Sequence, residues 1–251
     1  IKKQYGFNKV YILNQDVAWA RKTAEITTKV YFEKAGWEVV GHESFPTGTS
    51  DFSSALMKVK AKGAQVILPI FDMPQSGTLV KQWNTMKIPS LLAGFISPLA
   101  GPGAWDTFDK KIAGAINVNF EMGSAISSEK MPLAGAFVES YEKRWGSKLE
   151  AGHGPAPSYE SVYILAEAIQ RANSLDADAI VAELEKTNRQ GVMGRVQFDE
   201  GHQAVYDMDP DKAAVAAVFQ WTEDGKRTIV FPPSVAEGKI QLPKGLKAVQ
   251  N

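Results

Sequence analysis

The chain has 251 residues, 44 % of them hydrophobic, with 28 basic and 28 acidic side chains and a net charge of zero. That length suits one large or two small globular bodies, and the charge balance, with no basic run, argues against a nucleic-acid binder. There is no Cys, which excludes disulfides and thiolate metal sites, and no apolar run approaches the roughly 18 residues that would span a bilayer.

IKKQYG reads as the last turn of a helix stopped by Gly6. Ile1 is not an initiator Met and no signal peptide is visible, so the reading expects a longer protein from which an upstream part has been removed. Val10–Leu13 is a β-branched and aromatic run, hence a strand. The pattern then changes period. Ala20, Ala24, Thr27, Tyr31 and Ala35 form a helical stripe that Gly36 ends. Glu38–Ser44 is a second strand. Ser50 or Asp51 is placed to cap a helix whose buried face is Phe52, Leu56 and Val59.

Gln65–Phe71 is a third strand, and Leu79, Val80 and Trp83 mark a helix that must finish before Pro89. Ser90–Ile96 and Ala113–Asn119 are further strands. Strands alternating with helices call for an α/β fold with a parallel sheet covered on both faces. Beyond MGSAISSEKMP the composition shifts. Pro132 suits a first helical turn, and Phe137, Tyr141 and Trp145 share a face. After the turn-rich GHGPAPS, Ser158 is expected to cap a helix with Val162, Leu165, Ala166 and Ile169 inward. Asp176 caps another, with Ile180 and Leu184 inward. Arg195–Phe198, Val215–Trp221 and Thr228–Phe231 are short strands, with a hairpin turn at Glu223–Gly225.

Catalytic motifs are scarce. GPGAWD at Gly101–Asp106 lacks the third Gly of a dinucleotide fingerprint and follows no strand directly. There is no GxxxxGK loop and no GxSxG elbow. His42, His153 and His202 lie in a strand, a loop and a turn without metal-binding spacing, so each is read as solvated or structural. DMDPD at Asp207–Asp211 lacks the Gly and final Glu of a calcium loop and reads as a solvated acidic turn. Asp16 and Asp72 both follow strands; they are either an acid–base pair or capping, solvated carboxylates. No cofactor and no metal are expected.

Ligands of an open parallel sheet bind beyond the carboxyl ends of its strands. Those ends carry Asn14–Trp19, Phe71–Gln75 and Phe95–Ser97. Trp19, Phe71 and Phe95 are therefore either three wall residues of one pocket or ordinary core packing.

KVYILNQDVAWARKTAEI, GTSDFSSALMKVKAKGAQVILPIF, GTLVKQW and IPSLLAGF follow the order and spacing of a known group. With SYESVYILAEAI and FQWTEDGKRT they extend the likeness over nearly the whole chain. It resembles the solute-binding proteins of branched-chain amino-acid ABC importers. The resemblance implies the type I periplasmic-binding-protein fold: doubly wound parallel sheets in two lobes, with solute held between them and no reaction catalysed. It implies a location in the periplasm or outside the cell, free or lipid-anchored, and a membrane permease as partner. Residues 1–120 match most of the second lobe, 121–194 only the latter half of the first, and 195–251 a return to the second. The incomplete lobe would leave an apolar face at Phe137, Tyr141, Val162 and Leu165, through which the chain self-associates or which is mobile.

In amino-acid binders of this group an aromatic residue opens the helix after the first strand of this lobe, and Trp19 matches it. Asp72 or Met73 matches a second contact. An acidic residue after the fourth strand holds the ligand's ammonium; Ile96 stands nearest, beside Phe95 and Ser97. The expected ligand-binding residues are thus Trp19, Asn14, Phe71, Asp72, Met73, Phe95, Ile96 and Ser97. Without that carboxylate a buried ammonium is costly, so a small aromatic or apolar organic acid is expected over an amino acid. Two other readings stand beside this one: a ligand-sensing domain of a receptor or regulator with the same fold, and a hydrolase using Asp16 or Asp72 with a His.

Overall fold

The computed structural model describes residues 1–249. In chain order the elements are α1 (Lys2–Tyr5), β1 (Lys9–Gln15), α2 (Ala18–Ile26), β2 (Glu38–Phe45), α3 (Ser53–Ala61), β3 (Val66–Phe71), α4 (Gly77–Thr85), β4 (Leu91–Ile96), α5 (Ala104–Thr107) and β5 (Ile116–Asn119). Then follow α6 (Pro132–Trp145), α7 (Pro155–Ala172), α8 (Ala177–Leu184), β6 (Asn188–Gly191), β7 (Gly194–Gln197), β8 (Ala217–Trp221) and β9 (Arg227–Phe231). The chain forms two compact units. Unit 1 comprises Ile1–Val118, Gln220–Arg227 and the stretch from Ile240; unit 2 comprises Asn119–Phe219 and Thr228–Lys239. Arg195–Phe219 cluster with the helices of unit 2, and Gln220–Arg227 with unit 1.

In unit 1 the strand order runs β2-β1-β3-β4-β5. β1 pairs in parallel with β2 and β3, and β3 with β4, as expected for strands separated by helices. Beside the start of β5, Gly114 N–H donates to the Trp221 carbonyl and Trp221 N–H to the Ala115 carbonyl. Ala20 and Ala24 of α2 pack on Ile12 and Ile70, so small residues bring this helix close to one face of the sheet. On the other side of β3, Phe71 meets Phe52 at a ring-centre distance of 5.7 Å and Phe45 at 6.1 Å.

Pro69 sits inside a central strand, where a residue without N–H is unusual. Its neighbour accommodates it: β3–β4 pairing runs through Val66–Leu91 and Ile67–Leu92, is interrupted, and continues in the same register at Ile70–Phe95. Gly94 lies in the interruption, and a Cβ there would come within 2.3 Å of the Pro69 carbonyl oxygen. Glycine thus permits the close approach that carries Phe95 and Ile96 to the strand end.

The helical stripe expected up to Ala35 is interrupted. Residues Thr27–Phe32 form a wider turn, with Glu33 N–H bonded to the Thr28 carbonyl, five residues back. The phase slips, and Tyr31 faces outward at 62 % exposure. Asp51 does serve the start of α3, accepting from Ser53 N–H at 2.9 Å. Asp176 caps α8 through Ala179 N–H.

In unit 2, α7 begins at Pro155, so Ser158 lies within the helix and is not its cap. The inward residues are Ala156, Glu160, Ile164 and Ala168, a strict four-residue repeat. Val162 and Leu165 instead face outward, at 67 % and 46 % exposure. Ala156 packs with Val192, Met193 and Ala214, and Phe137 of α6 lies against that cluster. Phe137 and Tyr141 are half-buried. β6 and β7 form a two-stranded antiparallel sheet.

The buried carboxylate of Glu160 joins α7 to this hairpin. It accepts from Val192 N–H at 2.6 Å and from Arg189 Nε at 2.8 Å. Arg189 also bonds Glu167 and lies over the Tyr163 ring at 4.9 Å. Gly191 is required beside it, since a Cβ would fall on the Glu160 carboxylate. Replacing Glu160 by Ala leaves a buried N–H and a guanidinium without their acceptor, and should cost about 3 kcal/mol. Glu160→Gln, which keeps an acceptor, should cost less. Denaturant melts of both variants check this; a loss below about 1 kcal/mol for the Ala variant, within the range of ordinary surface changes, would remove Glu160 from its bracing role.

Candidate functional site

The carboxyl ends of β1, β3 and β4 lie side by side in unit 1. Asn14 pairs with Ile70, and Ile70 with Phe95, so these three occupy one row across the sheet. Side chains alternate along a strand, which sorts the expected residues into two groups. Phe95 points to the α2 side and meets Trp19, with ring centres 6.2 Å apart and planes at 71°, an edge-to-face pair. Phe71, one residue beyond Ile70, points the other way and is buried against Phe52 and Phe45. The expected trio of ring walls is therefore a pair; Phe71 belongs to the core.

Trp19 is 42 % exposed, on the first turn of α2. Asp72 is exposed and Ser97 is partly so. Asn14 is buried with its amide engaged. Its Nδ2 donates to the Gln15 carbonyl, and its Oδ1 accepts from His42 Nε2 at 2.5 Å and Ser44 Oγ at 3.0 Å. Partial burial of His42 lowers its pKa, favouring the neutral ring. Met73 is buried, its carbonyl accepting from Ser76 N–H and Oγ. Ile96 is fully buried.

Two organising residues escape a reading of strand ends alone. Gln15 is nearly buried; its Oε1 accepts from Asp72 N–H at 3.0 Å and its Nε2 donates to Thr47 Oγ1 at 2.9 Å. It ties the loop after β3 and the loop after β2 to the end of β1. Asn117 is fully buried, and its Oδ1 accepts from Ile96 N–H at 2.8 Å. Asn117 Nδ2 has no hydrogen-bond partner among the described residues. The signal was present in the sequence as an amide inside the apolar run INVN.

The residues weighed for chemistry are engaged elsewhere. Asp16 pairs with Arg21. His202 Nε2 lies 3.0 Å from Glu185, and His153 stands edge-on to Phe120 at 6.0 Å. The Asp207–Asp211 turn is a chain of local bonds, with Asp209 N–H on Asp207 and Asp211 N–H on Asp209. Among the described residues no group of three His, Asp or Glu is arranged to hold a metal ion.

Unit 2 carries one buried acid with a half-satisfied carboxylate. Glu121 Oε1 accepts from Gly154 N–H at 2.8 Å, and Oε2 accepts no hydrogen bond among the described residues. Burial raises its pKa; the Gly154 N–H and nearby His153 oppose this. The folded chain therefore holds this proton to higher pH than the unfolded chain does. Its stability contribution is best below the ordinary carboxylate range and falls as pH rises through the folded value. Glu121→Gln should melt above the parent at pH 7, the gap closing as pH is lowered to about 4. Thermal melts across that range test it; a variant less stable than the parent at pH 7 contradicts the assignment.

Comparison with known proteins bears on this geometry. A family model described as "Periplasmic binding protein" matches residues 1–226. The Leu/Ile/Val-binding protein homolog 7 of Brucella suis is 25 % identical over 242 residues, covering 94 % of this chain and 58 % of its own. The substrate-binding protein LivJ of Streptococcus pneumoniae, solved with isoleucine, superposes with a TM-score of 0.69 at 22 % identity, over 92 % of this chain and 62 % of that one. A solute-binding protein of an R. palustris ABC transporter, solved with benzoate, superposes with a TM-score of 0.71 at 14 % identity, over 94 % and 61 %. The chain thus spans about three fifths of the length of these relatives. No helix among the described residues is long and apolar enough to cross a membrane. Proteins of this family act outside the cytoplasmic membrane and bind solutes without transforming them. The parallel α/β architecture and the family match agree: this chain belongs to the periplasmic binding protein family and has its type I fold.

Proposed function

We propose that this chain is part of the extracytoplasmic solute-binding component of an ABC importer, delivering its ligand to a membrane permease and catalysing no reaction. Unit 1 supplies one wall of the ligand site. The observation that carries this reading is the Trp19–Phe95 edge-to-face pair at the strand ends, with Trp19 still open to solvent. Trp19, the edge of Phe95, Asp72 and Ser97 make that wall; Asn14, Phe71, Met73 and Ile96 support it from beneath.

The ligand class follows from what the wall lacks. By the resemblance, an acidic residue after β4 would hold an ammonium group; Phe95, Ile96 and Ser97 stand nearest that place and none carries a charge, and Asp72, an exposed carboxylate, belongs to the loop after β3. A desolvated ammonium without a facing carboxylate is disfavoured, whereas an aromatic ring gains from Trp19. A small aromatic or apolar organic acid is therefore favoured over a zwitterionic amino acid. Relatives of both habits exist, one solved with benzoate and one with isoleucine.

Calorimetry on the full-length protein, with benzoate and leucine as ligands, tests the reading. Benzoate should bind, and Trp19→Ala should weaken it about ten-fold, the loss of a stacking contact and its buried area. Tight leucine binding without benzoate binding would overturn the ligand class. Unchanged affinity in the variant would remove Trp19 from the site.

The outward apolar residues of unit 2, Leu133, Val162 and Leu165 among them, support a second expectation: the 251-residue chain self-associates through this face. Sedimentation should show a dimer or larger species at micromolar concentration, shifted towards monomer by Val162→Lys with Leu165→Lys. A parent chain that sediments as a monomer ends this expectation.

A further inference from the structure

Asn117 of β5 stands beside Gly94 of β4, yet its side chain does not stay at that level. Its Oδ1 accepts from Ile96 N–H at 2.8 Å, two residues further along β4. The carboxamide therefore leans along the strand direction and lies at the carboxyl end of β4, where unit 1 carries its candidate wall. Asn117 is fully buried. A backbone N–H can be matched only by the amide oxygen, so the end left over is the nitrogen. Among the described residues of unit 1, Asn117 Nδ2 is the one buried side-chain polar atom without a hydrogen-bond partner.

A buried donor without an acceptor bears the full cost of its desolvation. In low-dielectric surroundings its partial positive charge also acts more strongly than it would in water. The turn that Asn117 holds carries a second polar group. Ile96 is extended, with φ −133° and ψ 102°, so alternation continues through it and places Ser97 on the side of Phe95. On that side Phe95 meets Trp19. Ser97 is partly exposed, and its Oγ makes no hydrogen bond among the described residues. A ligand group seated at this turn meets a free hydroxyl, with the positive end of an amide dipole behind it and no charge on Phe95, Ile96, Ser97 or Asn117. That environment suits a carboxylate and opposes an ammonium.

We propose that Asn117 sets the charge preference of the strand-end wall, as a positioning residue acting from behind Ile96 and Ser97. The solute's ring lies against Trp19, and its carboxylate is received at Ser97 Oγ. The inference rests on the reading of unit 1 as one wall of a solute site, and it gives the preference for an acid a cause within the chain.

The test uses two probes with one ring and opposite charges, benzoate and benzylamine. Both are titrated by calorimetry into the full-length protein and its Asn117→Asp variant at pH 7. The variant keeps the shape and an oxygen for Ile96 N–H, but turns the spare donor into a charged acceptor. Benzoate should bind ten-fold or more weakly, and benzylamine at least three-fold more tightly. A residue that only supports the fold would weaken both probes alike, so equal losses, or no change in either, overturn the inference. Where the buried charge abolishes the thermal unfolding transition, Asn117→Ser removes the donor without adding a charge. Benzoate should then lose at least three-fold and benzylamine less; equal losses overturn the inference here too. A parent that prefers benzylamine overturns the acid class of the proposed ligand, while the response of the two probes to Asn117→Asp still decides the part of Asn117. A parent that binds neither probe overturns both.

Discussion

The candidate site depends on one buried amide. Gln15 ends β1, and its side chain reaches both the loop after β2, through Thr47, and the loop after β3, through Asp72 N–H. Three loops that are far apart in sequence are thereby set at fixed offsets from one another. Loops at strand ends have few apolar contacts of their own, so a satisfied polar group that spans them decides where their side chains lie. Asn117 plays the same part for the fourth strand by holding Ile96 N–H. Both amides are nearly or fully buried, where an unmatched donor or acceptor is expensive and a matched one fixes geometry.

The second constraint is the approach of β4 to β3. Pro69 cannot complete the ladder, and Gly94 gives the space for the strands to stay together past it. Pairing resumes at Ile70–Phe95, and that register decides which way Phe95 faces. A shift by one residue would turn Phe95 to the α3 side and bring Ile96 to the α2 side. The register is the same on both sides of the gap, so Gly94, by letting the strands stay together past Pro69, keeps Phe95 on the side where it meets Trp19.

Unit 2 is braced by a buried charge beside the Phe137–Tyr159 ring contact of α6 and α7. Its helices share a small apolar cluster around Ala156, and the larger side chains of α7 at positions 162 and 165 point away from it. Glu160, fully enclosed, does the joining by accepting from the β6–β7 hairpin. A helix whose inward face is Ala, Glu, Ile and Ala buries little apolar area, so the hydrogen-bonded acid has a large share in its placement.

The alternation of strands and helices, read from apolar runs and glycine stops, was enough to determine the parallel sheet of unit 1, because crossover connections leave few alternatives. Asp51 and Asp176 were legible as helix-start residues for the same local reason: a short acceptor side chain two or three residues from an unpaired N–H. Trp19 was legible as a site candidate by its position at a helix start. The direction of Phe71 was not, since alternation gives a face only once the register is known, and Phe52 and Phe45 had to be brought beside it from elsewhere in the chain. The inward face of α7 was misread for a related reason. Val162 and Leu165 are the more hydrophobic choice, but Glu160 is turned inward by Arg189 and Val192, partners some thirty residues away. Local chemistry determined where elements begin and end; which side of each element met the core was decided by long-range partners, and only the tertiary structure brings those together.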